Sequence, residues 1–252
     1  MLLKQGLIVT KTCHIRRVSA VDEKVQLLSS FGSARYDLGV EIPIAPLDAK
    51  DLVRRGYNRI SHAYRDDRRV EEVDYRSWLE THLFPRLSAR ARVLDLGCGN
   101  GVPATRMLAE RFDVIGVDIS DVQISRARRL VPAATLVRAD ITSLEFPLES
   151  FDAVVCFFAL IHIPLEEEPG ILRKVSAWLV PGGPFLATVG HHAWTGVADF
   201  YGADMYWSQA DASTYCTWLS EMGIDVVQRE FVAEEPSDGH ELILGVRRPG
   251  VR

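Results

Sequence analysis

The chain has 252 residues, of which 47% are hydrophobic and 25% charged, and its formal net charge is −5. That length and balance suit one α/β domain with a substantial core, while the acidic charge argues against nonspecific binding to nucleic acid or an anionic membrane surface. The four cysteines (Cys13, Cys98, Cys156, Cys216) lie far apart with no C-x-x-C pair, so they read as reduced cytoplasmic thiols and not as a zinc site or disulfide framework.

Residues 1–45 show neither helical nor alternating periodicity and close on Pro43 and Pro46, so 1–47 is set apart as an N-terminal extension. The opening M-L-L-K-Q-G-L-I-V-T is interrupted by Lys4 and Gln5 and has no small-residue cleavage site, which is not a signal-peptide pattern. No apolar run approaches the roughly 18 residues of a membrane helix. Asp48 opens a helix with Val53, Tyr57, Ile60 and Tyr64 on one face, and a second helix at 71–83 carries Val73, Trp78, Leu79 and Leu83 and stops before Pro85.

From Arg92 strands and helices alternate. Strands are expected at 92–96, 113–118, 134–138, 151–157 and 184–190, with helices near 102–111, 120–130 and 166–180. Such alternation predicts right-handed crossovers and a parallel sheet covered on both faces. A helix near 211–222 and a strand at 224–232 follow; 234–239 (E-E-P-S-D-G) is too short for a crossover helix, so the last strand, 241–247, is expected to pair antiparallel.

The stretch V-L-D-L-G-C-G-N-G, residues 93–101, carries the most chemistry. An apolar run stops at Gly97, Gly99 and Gly101, as a buried strand must when its backbone turns closely around a ligand. Asp118 ends the next apolar run, at a distance that suits a ribose diol. A dinucleotide loop wants G-x-G-x-x-G, but the third glycine of that pattern would fall at Val102. Asp95 would also repel a pyrophosphate, whereas it suits a ligand bearing an ammonium group.

This pattern resembles motif I of the class I S-adenosylmethionine-dependent methyltransferases. The resemblance implies a Rossmann-like, mostly parallel seven-stranded sheet in the order 3-2-1-4-5-7-6, with the last strand antiparallel, helices on both faces and an N-terminal helical extension. It implies S-adenosyl-L-methionine as cofactor, with Asp95 facing the methionine ammonium, Asp118 the ribose hydroxyls, and Gly97, Cys98 and Gly99 forming the loop. Asp140 would bond the adenine amino group, with Ile119 or Ile141 over the ring; the alternative for Asp140 is a turn cap. Backbone at Phe157 or Phe158 would meet the methionine end. Tyr57 and Tyr64 resemble the aromatic lid helix of relatives, although both also fit an amphipathic core stripe.

His162, just past the fourth strand, is the first candidate for a general base, with a structural or positioning role as its alternative; His191 and His192 are second choices. Adjacent histidines without further spaced ligands do not make a metal site. Residues 191–210 contain Trp194, Phe200, Tyr201, Met205, Tyr206 and Trp207 without evident periodicity and are expected to form an acceptor-side insertion, with Met205-Tyr206-Trp207 as its wall. The domain is thus expected to run from 48 to 252, with 48–90 forming a cofactor lid and 91–252 the core. The expected activity is methyl transfer to a small molecule of secondary metabolism. The alternatives are a peptide or other macromolecular acceptor, a cofactor-binding protein without transfer, and a nicotinamide oxidoreductase.

Overall fold

A computed structural model describes residues 46–65, 74–233 and 239–250. The extension expected at 1–47 therefore lies outside the described residues except for its last two positions, as does Val73 of the second helix. Helix α1 spans Pro46–Tyr64 and begins two residues before Asp48. Helix α2, Tyr75–Trp78, continues as a wider turn through Leu79–Leu83.

The sheet then builds in the expected alternation. Strand β1 is Arg92–Leu96, β2 Asp113–Asp118, β3 Thr135–Arg138, β4 Ala153–Cys156 and β5 Pro184–Gly190. Helices α3 (Ala104–Ala109), α4 (Asp121–Leu130) and α5 (Glu168–Trp178) cross between them. Strand β4 is shorter than the apolar run 151–157 because Phe151 makes only an isolated bridge, to Leu179. Every residue of β4 and β5 is buried, as strands covered on both faces require. Helix α6 (Ala212–Glu221) precedes β8 (Ile224–Val232) and β9 (His240–Arg247), and β9 pairs antiparallel with both β5 and β8.

The seven-stranded order is β3-β2-β1-β4-β5-β9-β8. Counted within the sheet, this is the expected 3-2-1-4-5-7-6. Two cores cover its faces. One gathers Phe151, Trp178, Tyr215 and Phe185, and the other Trp78, Leu83, Leu108 and Phe157.

One element departs from the sequence reading. Residues 194–209 form an antiparallel hairpin, β6 (Trp194–Phe200) and β7 (Ala203–Gln209), as a separate two-stranded sheet. Its two-residue turn puts both Tyr201 (φ 54) and Gly202 (φ 82) in the left-handed region, as the tight turn of a twisted hairpin demands. Tyrosine is an unusual residue there; stacking on Phe200 at 4.9 Å and Tyr64 at 5.8 Å accompanies that conformation. The hairpin packs on α1: Ala49, Val53 and Ile60 meet Ala203, Met205 and Tyr206 in a satellite core. These two elements form a cap over the carboxyl edge of the sheet.

Candidate active site

Under this cap, at the carboxyl ends of β1 to β4, lies a cleft. The twelve residues assigned from the sequence to cofactor binding or catalysis line it, whereas Met205, Tyr206 and Trp207, expected as the acceptor wall, do not. Asp95, Gly97, Cys98 and Gly99 come from the end of β1; Asp118 and Ile119 from β2; Asp140 and Ile141 follow β3; Phe157 and His162 follow β4; Tyr57 and Tyr64 come from α1. His191 and His192 do not line the cleft, and His191 instead pairs through Nδ1 with Glu241 at 2.7 Å.

The glycine loop is shaped by two different needs. Gly97 has φ +76, and a Cβ there would run into the Cβ of Ala159, so both conformation and space require glycine. Gly99 has φ +56, and a Cβ there would meet nothing within 4 Å, so only its backbone conformation does. Burial pushes the Cys98 thiol well above its ordinary pKa, which fits a small filler residue and opposes a nucleophile.

The two acids beside the loop are held without a counter-ion. Asp95 is 2% exposed and accepts a hydrogen bond from Thr105 Oγ1 at 2.7 Å. Asp118 accepts from the backbone N–H of Gly99 at 3.0 Å and of Ser120 at 2.8 Å, which aims its oxygens. Burial pushes Asp95 up to about 7, against the Thr105 hydrogen bond and with help from the Asp118 charge; burial also pushes Asp118 up to about 6. Among the described residues neither forms an ion pair. Two buried carboxylates of raised proton affinity suit a ligand that brings a positive charge and hydroxyl donors.

Asp140 makes the turn cap that was its alternative reading. Its Oδ1 caps a short turn by accepting from Thr142 N and Oγ1, each at 2.9 Å, and its Oδ2 lies 2.8 Å from Lys50 Nζ. It still borders the cleft beside Ile141.

His162 is 6% exposed and fully committed. Its Nδ1 lies 2.7 Å from the Tyr206 carbonyl, which can only accept, so Nδ1 carries the hydrogen. Its Nε2 lies 2.8 Å from the Tyr57 hydroxyl, which therefore donates to it. Burial, opposed by the Tyr206 bond, pushes the imidazole down to about 4, so it is neutral. The Trp207 ring lies 4.4 Å away. His162 thus reaches the cleft's acid–base chemistry through Tyr57, a link that the two residues' separate places in the sequence conceal.

Sequence reasoning also missed Lys50, Arg65 and Tyr75. Arg65 Nη2 donates to Tyr75 Oη at 2.7 Å and to Tyr64 Oη at 3.3 Å, placing a cation and two hydroxyls opposite the loop. No spacing rule marks them, because they converge from separate helical segments.

The comparisons agree with this geometry. Residues 93–183 match the model of a methyltransferase domain. The 27-O-demethylrifamycin SV methyltransferase of Amycolatopsis mediterranei is 35% identical over 49% of this chain and 48% of its own length. The chain spans about half or less of the length of the curated relatives it matches. Among solved structures, the 1,6-didemethyltoxoflavin-N1-methyltransferase of Burkholderia thailandensis, with bound 1,6-didemethyltoxoflavin and S-adenosylhomocysteine, superposes with a TM-score of 0.65 at 21% identity, covering 83% of this chain and 93% of its own. The magnesium protoporphyrin IX methyltransferase of Synechocystis PCC 6803, with bound S-adenosylhomocysteine, gives 0.63 at 18%, covering 79% and 100%. Residues 93–183 are thus similar to a methyltransferase domain, and the chain has the Rossmann-like fold of the solved methyltransferases it superposes on.

Proposed function

We propose that the chain moves a methyl group from S-adenosyl-L-methionine to a small-molecule acceptor of secondary metabolism. The observation that carries this reading is the pair of buried Asp95 and half-buried Asp118 beside the glycine loop, neither of them ion-paired among the described residues. With Asp140 one strand further along, the three acids follow the order β1, β2, β3, as a methionine, a ribose and an adenine would in turn require. Arg65, with Tyr64 and Tyr75, suits the methionine carboxylate. The relatives that act on a rifamycin and a toxoflavin precursor support an acceptor of this size.

When bound, the cofactor supplies a methyl group on a sulfonium, a good leaving group. The chain has to align an acceptor with that methyl and exclude water, and orientation of this kind is worth several kcal/mol. Tyr57 and Tyr64 border the cleft from α1, and Phe200 packs against both, with all three ring centroids within 6.5 Å of one another. An acceptor O–H or N–H would donate to Tyr57 Oη, whose own hydrogen is directed to His162 Nε2, and would so be oriented for in-line attack on the methyl group that the bound cofactor would supply. The Tyr206 carbonyl fixes the neutral imidazole that positions Tyr57. A nicotinamide dinucleotide is disfavoured, because Asp95 stands where its pyrophosphate would bind.

Titration calorimetry with S-adenosylhomocysteine tests the cofactor, with binding expected in the wild type and at least tenfold weakening in Asp118→Ala. An untargeted screen for a mass gain of one methylene then identifies the acceptor. Folded protein that does not bind the cofactor overturns the reading. Cofactor binding with no transfer to any acceptor would favour a binding or cyclisation role.

A further inference from the structure

Helix α1 is joined to its neighbours in two chemically different ways. Toward the hairpin it is apolar: Ala49, Val53 and Ile60 share a core with β7, and Met205 Cε would lie 2.7 Å from a Cβ at Gly56. Toward the nucleotide-binding core it makes a series of polar bonds. Ser120 Oγ donates to Asn58 at 2.6 Å and Ser61 Oγ donates to Gln123 at 2.8 Å, both beside the ribose acid Asp118.

At the opposite end of the cleft, Lys50 Nζ lies 2.8 Å from Asp140 Oδ2, 2.5 Å from Glu167 Oε2 and 2.9 Å from Thr142 Oγ1. Its side chain is 15% exposed, against 28% for each carboxylate. Lys50, Asp140 and Ile141 all border the cleft. Two carboxylates bonded to one ammonium would, without it, face each other across one ion's width. Like charges so placed repel, and each carboxylate would turn away from the other toward water.

We propose that Lys50 is a positioning residue that makes base recognition and closure of the cap a single event. Its ammonium holds Asp140 off Glu167 and aims it at the exocyclic amino group of a purine. The same bond ties the start of α1, and with it the hairpin, to the base-binding end of the core. Oδ1 of Asp140 is occupied by Thr142, so Oδ2, the oxygen that Lys50 orients, is the one left to accept from the ligand. A cap carried on this bond closes over a nucleoside with a 6-amino group and closes poorly over one with a 6-oxo group.

This inference rests on the reading of the cleft as a site for S-adenosylmethionine, and the test separates the two. Full-length wild type, Lys50→Met and Lys50→Arg would be titrated with S-adenosylhomocysteine and with its deaminated analogue, S-inosylhomocysteine. The wild type should prefer the adenine ligand by at least tenfold. Lys50→Met should lose about tenfold on that ligand and much less on the analogue, so the preference collapses; Lys50→Arg should retain most of it. In parallel, S-adenosylhomocysteine should protect the α1 arginines Arg54, Arg55 and Arg59 from trypsin in the wild type but not in Lys50→Met. Equal losses on both ligands, or an unchanged preference, would overturn the role given to Lys50 while leaving the cofactor reading intact. No binding of either ligand by folded wild type would overturn both.

Discussion

The hydroxyl of Tyr57 lies 2.8 Å from Nε2 of His162, a residue 105 positions further along the chain. Because the Tyr206 carbonyl takes the other ring nitrogen, the direction of both hydrogen bonds is set: Tyr57 donates and His162 accepts. The imidazole should stay neutral, with hydrogen on Nδ1, down to about pH 4. Long-range proton–nitrogen correlation spectra check this. A His162 that titrates near its ordinary value would contradict the buried pair.

The same pair predicts a separation of binding from chemistry. Tyr57→Phe keeps the ring that packs on Tyr64 and Phe200 but removes the hydroxyl that His162 positions and that would orient the acceptor. Once the acceptor is known, single-turnover methyl transfer should fall by about 10²-fold or more, while the affinity for S-adenosylhomocysteine changes by a few fold at most. Equal falls in both would reduce Tyr57 to a cofactor contact.

Stability should depend on pH in a sense opposite to that of a salt-bridged acid. Asp95 and Asp118 have folded-state values near 7 and 6, above the ordinary 3.8, because burial penalises their charged forms. Groups shifted this way contribute stability below the unfolded value and lose it as pH rises through the folded one. The ligand-free protein should therefore gain stability from these groups as pH falls from about 8 toward 5, and Asp95→Asn should flatten that slope. A ligand ammonium stabilises the ionised acids, so binding of S-adenosylhomocysteine should tighten as pH rises over the same interval and should release protons. Calorimetry in buffers of different ionisation enthalpy reads the proton count.

Glycine replacements in the loop should differ. Gly99→Ala meets no neighbour and is expected to cost about 1–2 kcal/mol for its left-handed backbone. Gly97→Ala adds a collision with Ala159 to a similar backbone cost, so it should be clearly more destabilising in urea unfolding and should abolish cofactor binding. Equal effects would mean that the approach of Ala159 is not a constraint.

The cap should loosen as a unit. Met205 is fully buried between β7 and α1, and Met205→Ala is expected to cost about 2–5 kcal/mol of local stability. Hydrogen exchange should then speed up across α1 and the hairpin while β1, β4 and β5 stay protected. Uniform loss of protection would show that the cap shares the core's cooperativity.

The parallel sheet was legible because its signals are local. An unbroken apolar run such as 153–159, set between turn signals, suits a strand buried on both faces, and a linker as short as 234–239 is too short for a parallel return. The hairpin was not legible. Its turn uses Tyr201 in place of the usual Asn-Gly, and its strands are half-covered by a helix, so their alternation is blurred: β6 has no buried residue. Lys50, Arg65 and Tyr75 carried no signal either, since charged and aromatic residues on a helix face solvent or a core equally well by spacing alone.

By itself, the sequence determined the sheet, the glycine loop and the three acids at the ends of successive strands, because strand order and backbone conformation follow from local pattern and connection length. Only the tertiary structure decided the rest. It put the Tyr57 hydroxyl on the one free lone pair of His162, set Lys50 between Asp140 and Glu167, and left Asp95 and Asp118 without an ion pair among the described residues. Burial and partnership are properties of the assembled fold: what a carboxylate, an imidazole or an ammonium does depends on what faces it after distant segments have packed together.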